Sequence, residues 1–116
     1  MKPKVNKLWV EALRSLSAKA GPMKPKVKKF WIEALRSGKY RQIQHRLFSD
    51  AGYCCLGVLC KISRKRIDEQ FALPVSVLRW AGLHDNDPML GDCSASRWND
   101  SGATFAEIAD LIERHL

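Results

Sequence analysis

Two stretches of this chain are nearly the same helix. Residues 1–15 read MKPKVNKLWVEALRS and residues 23–37 read MKPKVKKFWIEALRS, identical at 12 of 15 positions. The differences are Asn6 against Lys28, Leu8 against Phe30, and Val10 against Ile32. Each copy spaces its apolar residues at i, i+3, i+4 and i+7: Val5, Leu8, Trp9, Ala12, Leu13 and Leu16 in the first, Val27, Phe30, Trp31, Ala34 and Leu35 in the second. That spacing predicts a helix with one buried stripe. A chain of 116 residues builds one core, and one core has one place for such a helix. Two copies are too few for a solenoid, which needs at least three units.

The two copies continue differently. The second runs straight into the rest of the chain. The first runs into Leu16-Ser17-Ala18-Lys19-Ala20-Gly21-Pro22, which ends in a breaker pair. Residues 23–116 are therefore expected to form a single globular domain, with 1–22 an appended duplicate of its first helix. The spare apolar face, which carries Trp9, predicts self-association into a homo-oligomer.

The remaining elements follow from local signals. Pro25 suits a helix start and Gly38 its stop. Tyr40 to Phe48 alternates loosely and predicts a short strand, turning at Ser49-Asp50-Ala51-Gly52. Tyr53 to Ile62 is apolar on every side except Lys61, and its Cys and Gly residues let neighbouring backbones approach. This is expected to be a buried helix, with a buried strand as the alternative. Ser63 to Gln70 reads as a charged connection. Leu73-Pro74 opens a helix carrying Val75, Leu78 and Trp80 and stopped at Gly82. His84 to Ser101 reads as a long irregular stretch. Thr104 and Glu107 form a capping box before Phe105, Ile108, Ala109, Leu111, Ile112 and Leu116, with Asp110 and Glu113 on the wet face. The fold class expected is mainly α, with an α+β variant carrying one short hairpin near 40–53 left open.

Charge divides the chain. The formal net charge is +8, which suggests an acidic partner. Residues 1–46 hold 13 Lys and Arg against Glu11 and Glu33, whereas residues 47–116 hold seven bases and ten acids. No apolar run approaches the roughly 20 residues of a membrane span, and Met1-Lys2-Pro3-Lys4 does not begin a secretion signal. A cytoplasmic location and no membrane partner are the expectations.

Catalytic signatures are weak. Cys54, Cys55, Cys60 and Cys93 contain no C-x-x-C pair, and His45, His84 and His115 complete no ligand set. Buried, reduced thiols are expected, with no metal and no cofactor. A nucleophilic set drawn from Cys54 or Cys93, His45 or His84, and Asp100 has no local signature. Asp85, Asp87 and Asp92 lack the pattern of a calcium loop and read as a solvated acidic loop. No Walker A or G-x-G-x-x-G string is present.

Two segments suit ligand contact. The first contains Arg36, Lys39, Tyr40, Arg41, Gln42, His45 and Arg46. Its cations could neutralise phosphates, Tyr40 could stack on a base, and Gln42 and Gln44 could read a base edge. The plainer reading is a solvated basic turn. The second contains Trp98, Asn99, Asp100 and Ser101 and feeds a helix N-terminus, where free N–H groups attract anions. Its plainer reading is loop closure and capping.

Four strings carry a resemblance: WIEALRSGKY at 31–40, YCCLGVLC at 53–60, the Leu-Pro-x-x-Val helix ending Trp80-Ala81-Gly82-Leu83, and NDSGATFAEIADLIE at 99–113. Together they resemble a group of short proteins of tailed phages and prophages, mostly without assigned activity. The likeness covers most of 23–116 and departs at 1–22. It implies a cytoplasmic protein made in an infected bacterium. The function expected is a non-enzymatic anti-defence binder, which sequesters a phosphorylated, nucleotide-like immune signal or blocks a host defence protein. The alternatives are a nucleic-acid binder using Lys24, Lys26, Lys28, Lys29 and Arg41, and a cysteine-dependent enzyme.

Overall fold

A computed structural model describes residues 23–67 and 72–116. The chain is mainly α, with five helices and two short antiparallel hairpins in these residues. Helix α1 spans Pro25–Arg36. Strands β1 (Phe48–Ser49) and β2 (Gly52–Tyr53) form the first hairpin and lead into α2, Cys55–Ser63. Helix α3 spans Val75–Ala81. Strands β3 (Met89–Leu90) and β4 (Cys93–Ser94) form the second hairpin, followed by α4, Ala95–Asp100, and α5, Phe105–His115. The first copy of the repeat lies outside the described residues.

Helix α1 lies against α5 and α2. Val27, Trp31 and Leu35 of the expected stripe are buried, whereas Phe30 stays 46% exposed and Ala34 is part-buried; Ile32, outside that stripe, is buried too. Trp31 is fully buried, and its indole Nε1 donates to the Cys55 carbonyl at 2.9 Å. Removing an indole of this size from water contributes up to about 5 kcal/mol before entropy is counted. On the wet side, Arg36 pairs with Asp110 at 2.5 Å and Glu113 at 2.9 Å. These ions are exposed and screened by solvent, so the pairs mainly set the register of α1 on α5.

Helix α2 is the central element. Every residue from Cys54 to Cys60 is buried. Gly57 faces the backbone of Leu47 so closely that a Cβ there would sit 1.7 Å from the Leu47 carbonyl oxygen. No other residue fits that crossing. Cys54 caps the helix, its sulfur accepting the Gly57 N–H at 3.4 Å. Helix α3 stops at Gly82, whose φ of 78° is the left-handed conformation of a C-terminal stop. The capping box of α5 is complete: Thr104 Oγ1 accepts the Glu107 N–H, and Glu107 Oε1 accepts the Thr104 N–H.

Three sequence expectations need correction. Residues 40–47 are not a strand; one isolated bridge joins Gln42 to Tyr53, because Gln42 turns its side chain inward and His45 takes a left-handed φ of 73°. The stretch from 84 to 101 is not irregular throughout, since it holds the second hairpin and α4. The helix expected after Leu73-Pro74 and stopped at Gly82 is present as α3, which buries Val77 and Ala81 and leaves Val75 59% exposed. Asp87 is not simply solvated: its two carboxylate oxygens accept the Ser96 N–H and hydroxyl, tying α4 to the preceding loop.

Among the described residues, the buried stripe of α1 packs against α2 and α5. A chain that starts at Met23 is expected to unfold in one cooperative transition, with coincident near- and far-ultraviolet circular dichroism. Loss of the near-ultraviolet signal in that chain would mean that residues 1–22 complete the core.

Candidate functional site

The two sequence segments chosen for ligand contact are brought together. Asn99 on α4 is fully buried. Its Oδ1 accepts from Gln42 Nε2 at 2.8 Å and from the Cys55 N–H at 3.2 Å. Its Nδ2 donates to the Ile43 carbonyl at 2.8 Å and to Asp100 Oδ1 at 3.5 Å. Gln42 Nε2 also donates to the Ala103 carbonyl at 2.8 Å, and its Oε1 accepts the Phe105 N–H at 3.1 Å. Gln44 Nε2 reaches the Asn99 carbonyl, and Asp100 Oδ1 accepts the His45 N–H at 2.8 Å. No buried side-chain N or O among the described residues lacks a partner.

This pairing changes what those residues can do. Gln42 and Asn99 direct their hydrogen bonds inward to one another and to backbone groups. Trp98, Asn99 and Asp100 lie on α4, not on a loop, and Ser101 is its C-cap. The N-terminus of α5 offers little to an anion, because Gln42 and the capping box take its Phe105 and Glu107 N–H groups. Trp98 Nε1 donates to the Leu90 carbonyl at 2.8 Å and holds the second hairpin on α4. Ser101 Oγ donates to the Trp98 carbonyl, and Arg36 is engaged by α5. Arg41, His45 and Arg46 are exposed.

Lys39 and Tyr40 instead reach a different place. They line a groove of about 970 Å³ between α1, the first hairpin and the C-terminal end of α2. Phe30, Phe48 and Tyr53 join Tyr40 in its wall, with the Tyr40 and Tyr53 rings edge to face at 5.4 Å. Lys61, Arg64 and Lys65 join Lys39, and among the described residues the one acid in the lining is Glu33. Four rings and four cations thus share one concavity. Tyr40 is placed there by two backbone bonds that lock the next residues: the Arg41 carbonyl accepts the Tyr53 N–H, and the Ile43 N–H donates back to the Tyr53 carbonyl. The sequence signal for the missed cations is Lys61, Arg64 and Lys65, a basic run that starts as an apolar helix ends. Reading 63–70 as a mere connection passes over it.

The chain matches the model of a domain of unknown function, DUF8296, over residues 23–116. It belongs to that family. The match begins at Met23, the first residue of the second repeat copy. No curated protein and no solved structure matches the chain.

Three of the four thiols of the DUF8296 domain, Cys54, Cys55 and Cys60, are buried, whereas Cys93 is part-exposed. Burial pushes Cys54 up, Cys55 well above the ordinary thiol range, and Cys60 up to about 12. At neutral pH they are thiols rather than thiolates, and the thiolate is the nucleophile. Cys54 serves as a helix cap, and the Cys55 thiol donates to the Ala95 carbonyl at 3.5 Å. Among the described residues, no cluster of three or more His, Cys, Asp or Glu is placed to hold a metal. No helix among them is long and apolar enough to cross a membrane.

Two outcomes follow. Asn99→Ala should lower the unfolding free energy by about 2–4 kcal/mol, because the Cys55 N–H and the Ile43 carbonyl lose their partner; urea titration reads it. In the native protein a disulfide reagent near neutral pH should modify Cys93, the half-buried thiol, far faster than Cys54, Cys55 and Cys60, which should react only after unfolding.

Proposed function

We propose that this DUF8296 domain is a non-enzymatic binding protein that takes a phosphorylated, nucleotide-like ligand in the groove between α1 and α2. The observation that carries the reading is the composition of that groove: Phe30, Tyr40, Phe48 and Tyr53 beside Lys39, Lys61, Arg64 and Lys65. Rings suit a planar base, and clustered cations suit phosphate. The volume falls in the range of small-molecule sites. The inward-turned Gln42–Asn99 network supports the reading indirectly, since it fixes the segment that carries Lys39 and Tyr40. Burial and raised pKa values weigh against Cys54, Cys55 and Cys60 as nucleophiles.

The resemblance to short phage and prophage proteins supplies the setting. In an infected bacterial cytoplasm, a binder of this kind would hold a nucleotide signal away from a host defence system. Blocking a defence protein directly is the other form of the same role.

Gently purified protein should carry a nucleotide mass and ultraviolet absorbance beyond that of its own aromatic side chains. Binding of a fluorescent adenine nucleotide should weaken by roughly tenfold for each cation reversed in the series Lys61→Glu, Arg64→Glu and Lys65→Glu. The three side chains are exposed, so the fold should persist. Unchanged affinity in the triple variant would remove the groove from the reading. A stronger preference for long oligonucleotides, with affinity falling steeply in salt, would replace it with nucleic-acid binding.

A further inference from the structure

Helix α1 turns a second face away from the core. Phe30, Glu33, Ala34 and Ser37 line the groove at i, i+3, i+4 and i+7, the spacing of one helix face. Glu33 is thus set beside the Phe30 ring by the helix itself. It is the one acid among the described residues of a lining that also holds Lys39, Lys61, Arg64 and Lys65. A carboxylate in such company would be expected to close an ion pair, and Glu33 does not. Among the described residues the ion pairs join Arg36 to Asp110 and Glu113, and His45 to Asp100. Arg36, one turn along α1 from Glu33, is drawn away to α5. The groove therefore offers a ligand charges of both signs, the negative one beside an aromatic ring.

A ligand that is anionic throughout would meet repulsion at Glu33. A nucleotide has a second end, the edge of its base. An ionised carboxylate only accepts hydrogen bonds, through two oxygens side by side. Guanine presents N1–H and the N2 amine side by side, so both oxygens are met by donors. Adenine sets its amine next to the bare N1, and cytosine sets its amine next to the bare N3. Uracil places its one N–H between two carbonyls. Each of these three turns at least one lone pair toward the carboxylate. We propose that the groove takes a guanine nucleotide, with Glu33 receiving the N1–H and N2–H of the base while the rings pack on its face and the cations hold its phosphates. The assignment rests on the binding reading above and adds the identity of the base. Glu33 is then a specificity-determining residue, because the same carboxylate that matches guanine repels the adenine edge.

Calorimetric titration of the full-length protein with guanosine, inosine and adenosine diphosphates tests it. Inosine keeps the N1–H and lacks the N2 amine. Guanosine diphosphate should bind about tenfold tighter than inosine diphosphate, and adenosine diphosphate should be the weakest of the three. In Glu33→Gln the guanosine ligand should lose roughly tenfold or more, while the adenosine ligand binds as before or more tightly because the opposing charge is gone. Glu33 is exposed, so the variant should keep its fold. A general loss of structure would weaken all three ligands alike, and Glu33→Ala must give the same loss of preference. Equal affinity for the guanosine and adenosine ligands in the unaltered protein, or a guanine preference that survives Glu33→Gln, overturns the assignment and leaves the groove reading standing. Absence of binding by all three removes the groove reading itself.

Discussion

Two carboxamides, the buried Asn99 and the part-buried Gln42, hold the 41–45 segment in place. Asn99 uses both Oδ1 and Nδ2 within the fold, and Gln42 uses both of its terminal atoms. Between them they join the 41–45 segment, the start of α2, α4 and the start of α5. A buried amide is costly unless satisfied, and a satisfied one fixes geometry because few arrangements meet all its donors and acceptors at once. The backbone of residues 41–47 makes little regular ladder of its own, so these side chains take the place of a sheet. The left-handed His45 is held by the same means, through the bond from its N–H to Asp100.

This network explains which parts of the fold were legible in the sequence. The α1 helix, the all-apolar α2, the Gly82 stop and the Thr104–Glu107 box are local patterns, and each appears where its pattern placed it, apart from Phe30, which the α1 pattern put on the buried side and the fold leaves exposed. The second hairpin and α4 were not legible, because what starts α4 is remote or subtle. Ser94 caps it and Asp87, nine residues before Ser96, receives that residue's N–H and hydroxyl. The strand expected over 40–48 failed for a related reason. Alternation cannot distinguish a side chain that faces solvent from a Gln that turns inward to a partner 57 residues away.

The candidate site was legible only in part. Lys39 and Tyr40 reach the groove, while Gln42, Asn99 and Asp100 support the backbone behind it. Residue type alone could not separate these roles, since an amide that reads a base edge and one that bridges two helices look alike in sequence. The cations of the opposite wall, Lys61, Arg64 and Lys65, were hidden by their position at the end of a buried helix.

The net charge of +8 gains a different meaning once the groove is known. Half of it, +4, belongs to residues 1–22 and follows from copying one basic helix. The groove's cations come from two separate places: Lys39 just past α1, and Lys61, Arg64 and Lys65 at the end of α2. None of the four lies within the copied stretch 23–37, so the duplication raised the charge of the chain without adding to that cluster. The charge that points to an anionic ligand is therefore the local concentration of cations beside aromatic rings, and a chain with half the net charge would present the same groove.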